Sequence, residues 1–256
     1  MESVLVDVFA ERPLEGNPLT VFLDAGDLDD ERMQALARET NHSETTFVTG
    51  LEDGVAATRI FTPQTELPFA GHPTLGTAFV TGADALDLKV GRIPVRREGG
   101  LLWMTQNAAT FGPVLDTDMA AQVIGVPVQA AEVVSTGTPM ALLRVADSDA
   151  VGAARLRPEA YAGPDVACCY VFAADEGGVH ARSFGAFVGV QEDPATGSAA
   201  GPLAAWLDRA GLLGGDAVIR QGVEMKRPSR LHIRMEDGRP VVGGRVVEVA
   251  RSRWDV

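Results

Sequence analysis

Two stretches of this chain follow one plan. RIFTPQTELPFAGHPTLGTAFVTGA (59–83) and RSFGAFVGVQEDPATGSAAGPLAAWLDRAG (182–211) each run from an Arg-x-Phe strand, through a Pro-containing loop, into a small-residue turn that opens an apolar helix. Each falls midway along its half of the chain, an arrangement that an internal duplication explains. A helix such as 73–81 has hardly any polar face to show to water, so each half must wrap a curved, mostly antiparallel sheet around its own helix. The expected class is α+β with two lobes, 1–114 and 115–256, and the best candidate for the junction is FGPVLDTDMAAQVIGVP (111–127), with its Pro, Gly and acidic turn. Pro202, several residues into the second helix, should remove a backbone hydrogen bond, so that helix starts late or bends there.

Strand is the dominant expected state. β-prone runs occur at 55–61, 101–106, 140–146, 166–173, 179–184, 231–235 and 241–249. Between Asp27 and Thr40 the pattern is helical instead: Met33, Leu36 and Ala37 share a face, Asp29, Asp30 and Glu31 crowd the start, and Asn41 offers a stop. At 256 residues, 46% hydrophobic and 22% charged, the chain can bury a water-poor site. Its net charge of −13 repels phosphate backbones and anionic lipid, which argues against nucleic-acid and membrane partners. A small anionic substrate would need local positive potential. The N-terminal apolar stretch is too short and interrupted for a signal peptide, and no segment has the length of a transmembrane helix. The only cysteines, Cys168 and Cys169, are adjacent and would point to opposite faces of a strand, which fits a reducing, cytoplasmic setting.

Candidate chemistry gathers at the two helix entrances. Gly71-His72-Pro73-Thr74 and Thr196-Gly197-Ser198 sit where loop becomes helix, so their unpaired N–H groups and the helix dipoles suit an anion. Either glycine alone is as well explained by tight packing; the pairing of the motifs favours a carboxylate site. A helix N-terminus disfavours the charged form of His72, leaving a neutral donor or acceptor, although loop hydrogen bonds would account for this histidine equally well. Asp193 precedes the second helix, where capping is its usual occupation. Together, Ser198, His72 and Asp193 also permit a serine hydrolase, but T-G-S-A-A-G lacks the G-x-S-x-G elbow. The four histidines show no metal-like spacing, and no phosphate-binding or dinucleotide motif is present, so neither a metal nor a cofactor is expected. Glu44, ahead of the β-prone run TTFV, is ambiguous from its own surroundings: a solvated turn residue or a reactive group.

Taken together and in order, EGNPLTVF (15–22), SETTFV (43–48), TPQTELPFAGHPTLG (62–76), STGTP (135–139), EDPATGSAAG (192–201) and QGVEMKRPS (221–229) resemble the PhzF-like family, named for the phenazine-biosynthesis isomerase. The likeness spans nearly the whole chain. It implies the diaminopimelate epimerase-like fold, a pseudo-symmetric pair of lobes with barrel-like sheets around central helices, an active site between them, and a homodimer. It also implies a cofactor-independent isomerase of a cyclic amino acid of the dihydro-hydroxyanthranilate type. The glutamate of S-E-T, here Glu44, would carry a proton between carbons; His72, Asp193 and Ser198 would bind and orient the substrate and assist the proton shift; Asn17, Gly71 and Gly197 would complete the pocket. A carboxylate in a closed, partly apolar cleft has a pKa raised toward the range useful for exchanging protons with carbon. Diaminopimelate epimerase works with paired cysteines, whereas Cys168 and Cys169 lie near neither helix-entry motif in the sequence. Lys226, Arg227 and Ser229 of the R-P-S segment read as a turn first and a substrate contact second. A member of the fold that binds a small molecule without turning it over is the remaining alternative.

Overall fold

The structure is a computed structural model that describes residues 1–175, 178–185 and 190–255. The chain divides into two compact units, Met1–Thr105 with Gly243–Val256, and Gln106–Val242. The first contains β1 (Glu2–Val8), β2 (Asn17–Phe22), α1 (Asp30–Thr40), β3 (Thr45–Glu52), β4 (Val55–Phe61), β5 (Glu66–Leu67), α2 (Gly71–Thr81), β6 (Ala85–Leu88), β7 (Gly91–Glu98), β8 (Leu101–Thr105) and the final strand, β18 (Val246–Arg253). The second contains β9 (Thr110–Val114), α3 (Thr117–Ile124), β10 (Ala130–Ser135), β11 (Pro139–Arg144), α4 (Ser148–Ala153), β12 (Cys168–Asp175), β13 (Gly178–Gly185), β14 (Val190–Asp193), α5 (Gly197–Arg209), β15 (Ala217–Gln221) and β16 (Ser229–Glu236), and β17 (Arg239–Gly244) runs across its boundary.

Strand pairing confirms the duplication. In the first unit β1 pairs antiparallel with β2, β2 runs parallel to β3, β3 antiparallel to β4, and β4 lies between a short antiparallel β5 and a parallel β6 that turns into β7. In the second, β10, β11, β12, β13, β14, β15 and β16 repeat those relations in the same order. Both parallel steps need a crossover, which α1 and α2 supply in one unit and α4 and α5 in the other. The match extends to side chains. Arg59 grips Glu66 through two bonds of 2.8 and 2.7 Å and lies over the Phe61 ring. Arg182 grips Glu192 through two of 2.8 Å and lies over Phe184. Both pairs tie the Arg-x-Phe strand to the loop that enters the central helix.

The central helices are apolar because they are cores. α2 carries no charge, buries Gly71 through Ala78, and packs on β1, β2 and β3. α5 buries ten of its residues and packs on β10, β11 and β16. Outside these cores, Met33, Leu36 and Ala37 of α1 cover Phe22, Phe47 and Phe61, with the rings of Phe22 and Phe47 stacked at 5.1 Å. As expected, α1 begins at an acidic cap, Asp29 accepting from Arg32 N, and stops at Asn41, whose φ is 53°.

Three expectations change. A split at 114/115 places the C-terminal strand in the second lobe, whereas β18 pairs with β1 in the first unit and β9 pairs with β10 in the second, so the contacts divide the chain at 105/106 and 242/243. The β-prone run 241–249 is two strands, β17 and β18, interrupted at Arg245. Of the two alternatives for Pro202, the late start falls away: α5 begins at Gly197 with Pro202 inside it.

Candidate active site

In the first unit the loop from Ser43 brings Glu44 to the head of β3, and the tip of α2 brings His72 to meet it. Glu44 Oε2 lies 3.7 Å from His72 Nε2; the carboxylate side chain is 18% exposed and the imidazole 5%. Glu44 is thus not a solvated turn residue. His72 Nε2 is buried with no hydrogen-bond partner among the described residues. The other ring nitrogen, Nδ1, is 3.3 Å from Asn17 Nδ2, and Ser43 Oγ reaches Asn17 Oδ1 at 3.4 Å. Asn17 owes its place to Gly16: at φ +65°, with Val8 O only 2.2 Å from where a Cβ would stand, the chain turns close against β1. Burial, and then the neighbouring His42, pull the His72 pKa down to about 3, against a weaker opposing hydrogen bond to the Pro18 backbone. The ring is therefore neutral at physiological pH. Gly71, the first residue of α2, follows Ala70, which offers no side-chain cap, and Pro73 has no N–H, so the free-ended donors of this tip are those of Gly71 and His72.

In the second unit Asp193 ends β14 and Gly197 and Ser198 open α5. Thr196, the N-cap residue of α5, makes no side-chain cap bond. Thr196 Oγ1 turns back instead and donates to Asp193 Oδ2 at 2.5 Å. Gln221, fully buried, spans the same loop, its Nε2 donating to Asp193 O (2.7 Å) and to Thr196 Oγ1 (3.0 Å) while its Oε1 accepts from Thr196 N (3.2 Å) and from Tyr170 OH (2.8 Å). Burial, with Cys168 and Asp193 close by, holds the Tyr170 phenol well above its ordinary pKa, so it stays a donor. A second glutamine secures the first turn of α5: Gln106 Nε2 donates to Gly197 O at 2.8 Å and is itself held by Thr136 of the STGTP segment at 2.7 Å. Ser198 is half-buried on the first turn.

The roles of Tyr170, Thr196, Gln221 and Gln106 escape a reading of local motifs, yet two carried a signal: a tyrosine inside the apolar run CCYVFAA must find a partner for its hydroxyl, and a glutamine ending the strand AVIRQ is out of place in a core unless bonded. Cys168, distant in sequence from the motif that opens α5, lies close to it in space. β12 lies beside β13, Ser183 of β13 is in register with Asp193, and the Cys168 thiol bonds Ser183 and feels the Asp193 charge. Burial pushes that thiol up to about 12, and both cysteines are free and buried. Lys226, Arg227 and Ser229 lie in a self-bonded turn, with Arg227 N donating to Gly222 O and Ser229 Oγ to Arg227 O. Among the described residues no group of three or more His, Cys, Asp or Glu is placed to hold a metal, and no helix is long and apolar enough to cross a membrane. The grooves beside α1, about 780 Å³, and α3, about 500 Å³, contain none of the candidate residues.

Known proteins share both sequence and fold with this chain. A trans-2,3-dihydro-3-hydroxyanthranilate isomerase of Pseudomonas aeruginosa is 41% identical over 258 residues, covering 91% of this chain and 90% of that protein. A solved structure of a P. aeruginosa protein described as a predicted epimerase superposes with a TM-score of 0.84 at 37% identity, covering 100% of this chain and 99% of the other. A hydroxyproline epimerase of Agrobacterium vitis, solved with trans-4-hydroxy-L-proline bound, shares the fold alone, with a TM-score of 0.63 at 12% identity over 98% of this chain and 91% of that one. The family model described as phenazine biosynthesis-like protein matches residues 6–251, and the chain belongs to that PhzC-PhzF family.

Proposed function

We propose that this isomerase moves a proton between two carbons of a small cyclic amino acid of the dihydro-hydroxyanthranilate type, with Glu44 as the carrier. The supporting observation is the pairing of Glu44 with a buried imidazole whose Nε2 has no hydrogen-bond partner among the described residues. The Glu44 carboxylate takes the proton from one carbon and becomes a neutral acid, the C–H electron pair spreads into the substrate's π system, and the same proton returns to another carbon. No oxidant, reductant or bound cofactor enters that balance. A neutral His72 matters to the first step, because an imidazolium 3.7 Å away would depress the carboxylate's basicity, while a neutral ring leaves it able to accept a proton. General base catalysis of this kind contributes roughly 10²–10⁴-fold.

Asn17 keeps His72 in place. Each helix tip, at Gly71 in one unit and at Gly197 in the other, supplies N–H donors and positive potential suited to an anionic group, countering the chain's net charge of −13. Asp193 and Ser198 bind and orient the substrate. The same proposal has the enzyme working as a cytoplasmic homodimer. A hydrolase built on Ser198, His72 and Asp193 fares worse, because a ring with a pKa of about 3 resists the serine proton it would have to accept.

The test is turnover of trans-2,3-dihydro-3-hydroxyanthranilate by the wild-type chain and by Glu44→Gln. Loss of turnover in a folded Glu44→Gln protein is expected. Wild-type-like turnover by that variant would remove Glu44 from the mechanism, and labelling of Ser198 by a fluorophosphonate would favour hydrolysis.

A further inference from the structure

We propose that Gln221 is a positioning residue for Asp193: through Thr196 it fixes the Asp193 carboxylate as a hydrogen-bond acceptor of set direction. Bond polarity fixes the Gln221 amide. Thr196 N–H can only donate and Asp193 C=O can only accept, so the Gln221 amide has one orientation that satisfies both, with Oε1 on the former and Nε2 on the latter. In that orientation Nε2 also donates to Thr196 Oγ1, so the threonine hydroxyl cannot direct its own proton toward Gln221 and presents it to Asp193 Oδ2. Tyr170 OH fills the remaining site on Oε1. The chain of donors therefore runs one way, from Gln221 to Thr196 to Asp193, and delivers a hydrogen bond that an ionised carboxylate accepts more strongly than a neutral acid.

The fold itself does not require this arrangement. Counting back from Gly71 and from Gly197, Pro68 matches Pro194, Leu67 matches Asp193 and Ala70 matches Thr196. Strand register, with the Arg59 and Arg182 pairs aligned, matches Thr46 to Tyr170 and Leu88 to Gln221. The first unit thus builds the same strand, loop and helix entrance with Leu67, Ala70 and Leu88. Where the second unit replaces these with Asp, Thr and Gln, the polar groups serve the acid. Gly222 allows the approach: at φ +72° it lies so close to the loop that a Cβ would meet Pro194 O at 2.6 Å, bringing Gln221 against the Asp193–Thr196 segment.

That Asp193 touches substrate belongs to the function proposed above; that Gln221 and Thr196 set its state does not, and the two are tested separately. In the full-length protein, the Asp193 carboxyl ¹³C signal, assigned by its loss in Asp193→Asn, is titrated in wild type, Thr196→Val, Thr196→Ser and Gln221→Met. Removing the donated proton should raise the Asp193 midpoint by about one pH unit in Thr196→Val and Gln221→Met, with Thr196→Ser, which keeps the hydroxyl, restoring the wild-type value. With trans-2,3-dihydro-3-hydroxyanthranilate as substrate, kcat/KM should fall about 10–100-fold in the two disrupting variants and stay near wild type in Thr196→Ser. The two disrupting variants are close in shape to the residues they replace, and either one that folds decides the matter. An unmoved Asp193 midpoint in a folded variant overturns the proposal. A moved midpoint alongside full turnover by Glu44→Gln leaves the proposal standing and rejects the Glu44 mechanism alone.

Discussion

The two units are built on one skeleton and furnished differently. Both fasten an arginine to a glutamate at the helix entrance, both lay that arginine on a phenylalanine, and both leave the central helix without a side-chain cap. At matching positions the first unit has Glu44 and His72 where the second has Cys168 and Ser198, and the second has Asp193, Thr196 and Gln221 where the first has Leu67, Ala70 and Leu88. What is shared is what the fold needs. What differs is the polar furnishing, a carboxylate beside a neutral imidazole in one unit and a carboxylate bonded by a threonine hydroxyl in the other.

The sharpest way to break this comparison is to alter the paired positions 44 and 168. Glu44→Gln should lower kcat by roughly 10²–10⁴-fold with an unchanged melting temperature, since the side chain is part-exposed and contributes little to packing. Cys168→Ala should do the reverse, leaving kcat near wild type while costing about 1 kcal/mol of stability from a buried side chain. Steady-state kinetics and thermal melts on both variants would show it. A large kcat loss in Cys168→Ala would mean that the second unit's position is chemical as well, and the division of labour would fail.

The shared clamp predicts a graded effect. Arg182 is 5% exposed and, besides Glu192, donates to Gly152 O at 3.1 Å and Ala154 O at 2.8 Å. Arg182→Met strands the Glu192 carboxylate, while Gly152 O and Ala154 O keep Arg155 as a donor, and urea unfolding should show a loss of about 3 kcal/mol. Arg59 is 26% exposed, so water screens and partly replaces its partners, and Arg59→Met should cost about 1 kcal/mol. Equal losses would show that the second clamp is no more buried in its energetics than the first.

Proton linkage separates the helix tips at His72 and Ser198. Burial holds His72 in the folded state at a pKa of about 3, against an ordinary histidine value of 6.5, so between those values the unfolded chain binds a proton that the folded chain refuses. Stability is therefore full above about pH 6.5 and falls as pH drops toward 3, by roughly 1.4 kcal/mol per pH unit at most. His72→Gln should flatten that slope in denaturation curves taken from pH 7 to 4.5, and Ser198→Ala should leave it as it is. A slope that survives His72→Gln would place its source elsewhere.

Much of this was legible in the letters, for a definite reason. Motifs whose partners are near in sequence carry their own evidence: Asp29 caps α1, Asn41 ends it, and the apolar stretch of α2 demands a surrounding sheet. The duplication exposed the architecture because each copy reports on the other. What stayed hidden depends on register between distant strands. Nothing near Val246 says that β18 pairs with β1. The link from Gln221 to Asp193 crosses 28 residues and that from Tyr170 to Gln221 crosses 51, so the network exists only once β12, β13 and β15 are aligned. The same alignment brings Cys168 beside Ser183 and Asp193.

The smallest expected difference lies inside the two central helices, each of which has one glycine pressed against a neighbour. A Cβ at Gly76 would meet Leu19 Cδ2 at 2.5 Å, the end of a side chain with rotamers to spare, and Val8 Cγ2 at 3.0 Å. A Cβ at Gly201 would meet Gln106 Oε1 at 2.0 Å and its Cδ at 2.6 Å, and Gln106 cannot swing aside without releasing Gly197 O and Thr136. Both substitutions to alanine gain the same helix propensity, about 1 kcal/mol, so their difference reports overpacking alone. Gly201→Ala should be the worse by about 1–2 kcal/mol in chemical denaturation, and because Gln106 steadies the first turn of α5 it should raise KM as well. Gly76→Ala should leave KM alone, since what it displaces is the hydrocarbon of the core rather than a group that holds a helix tip.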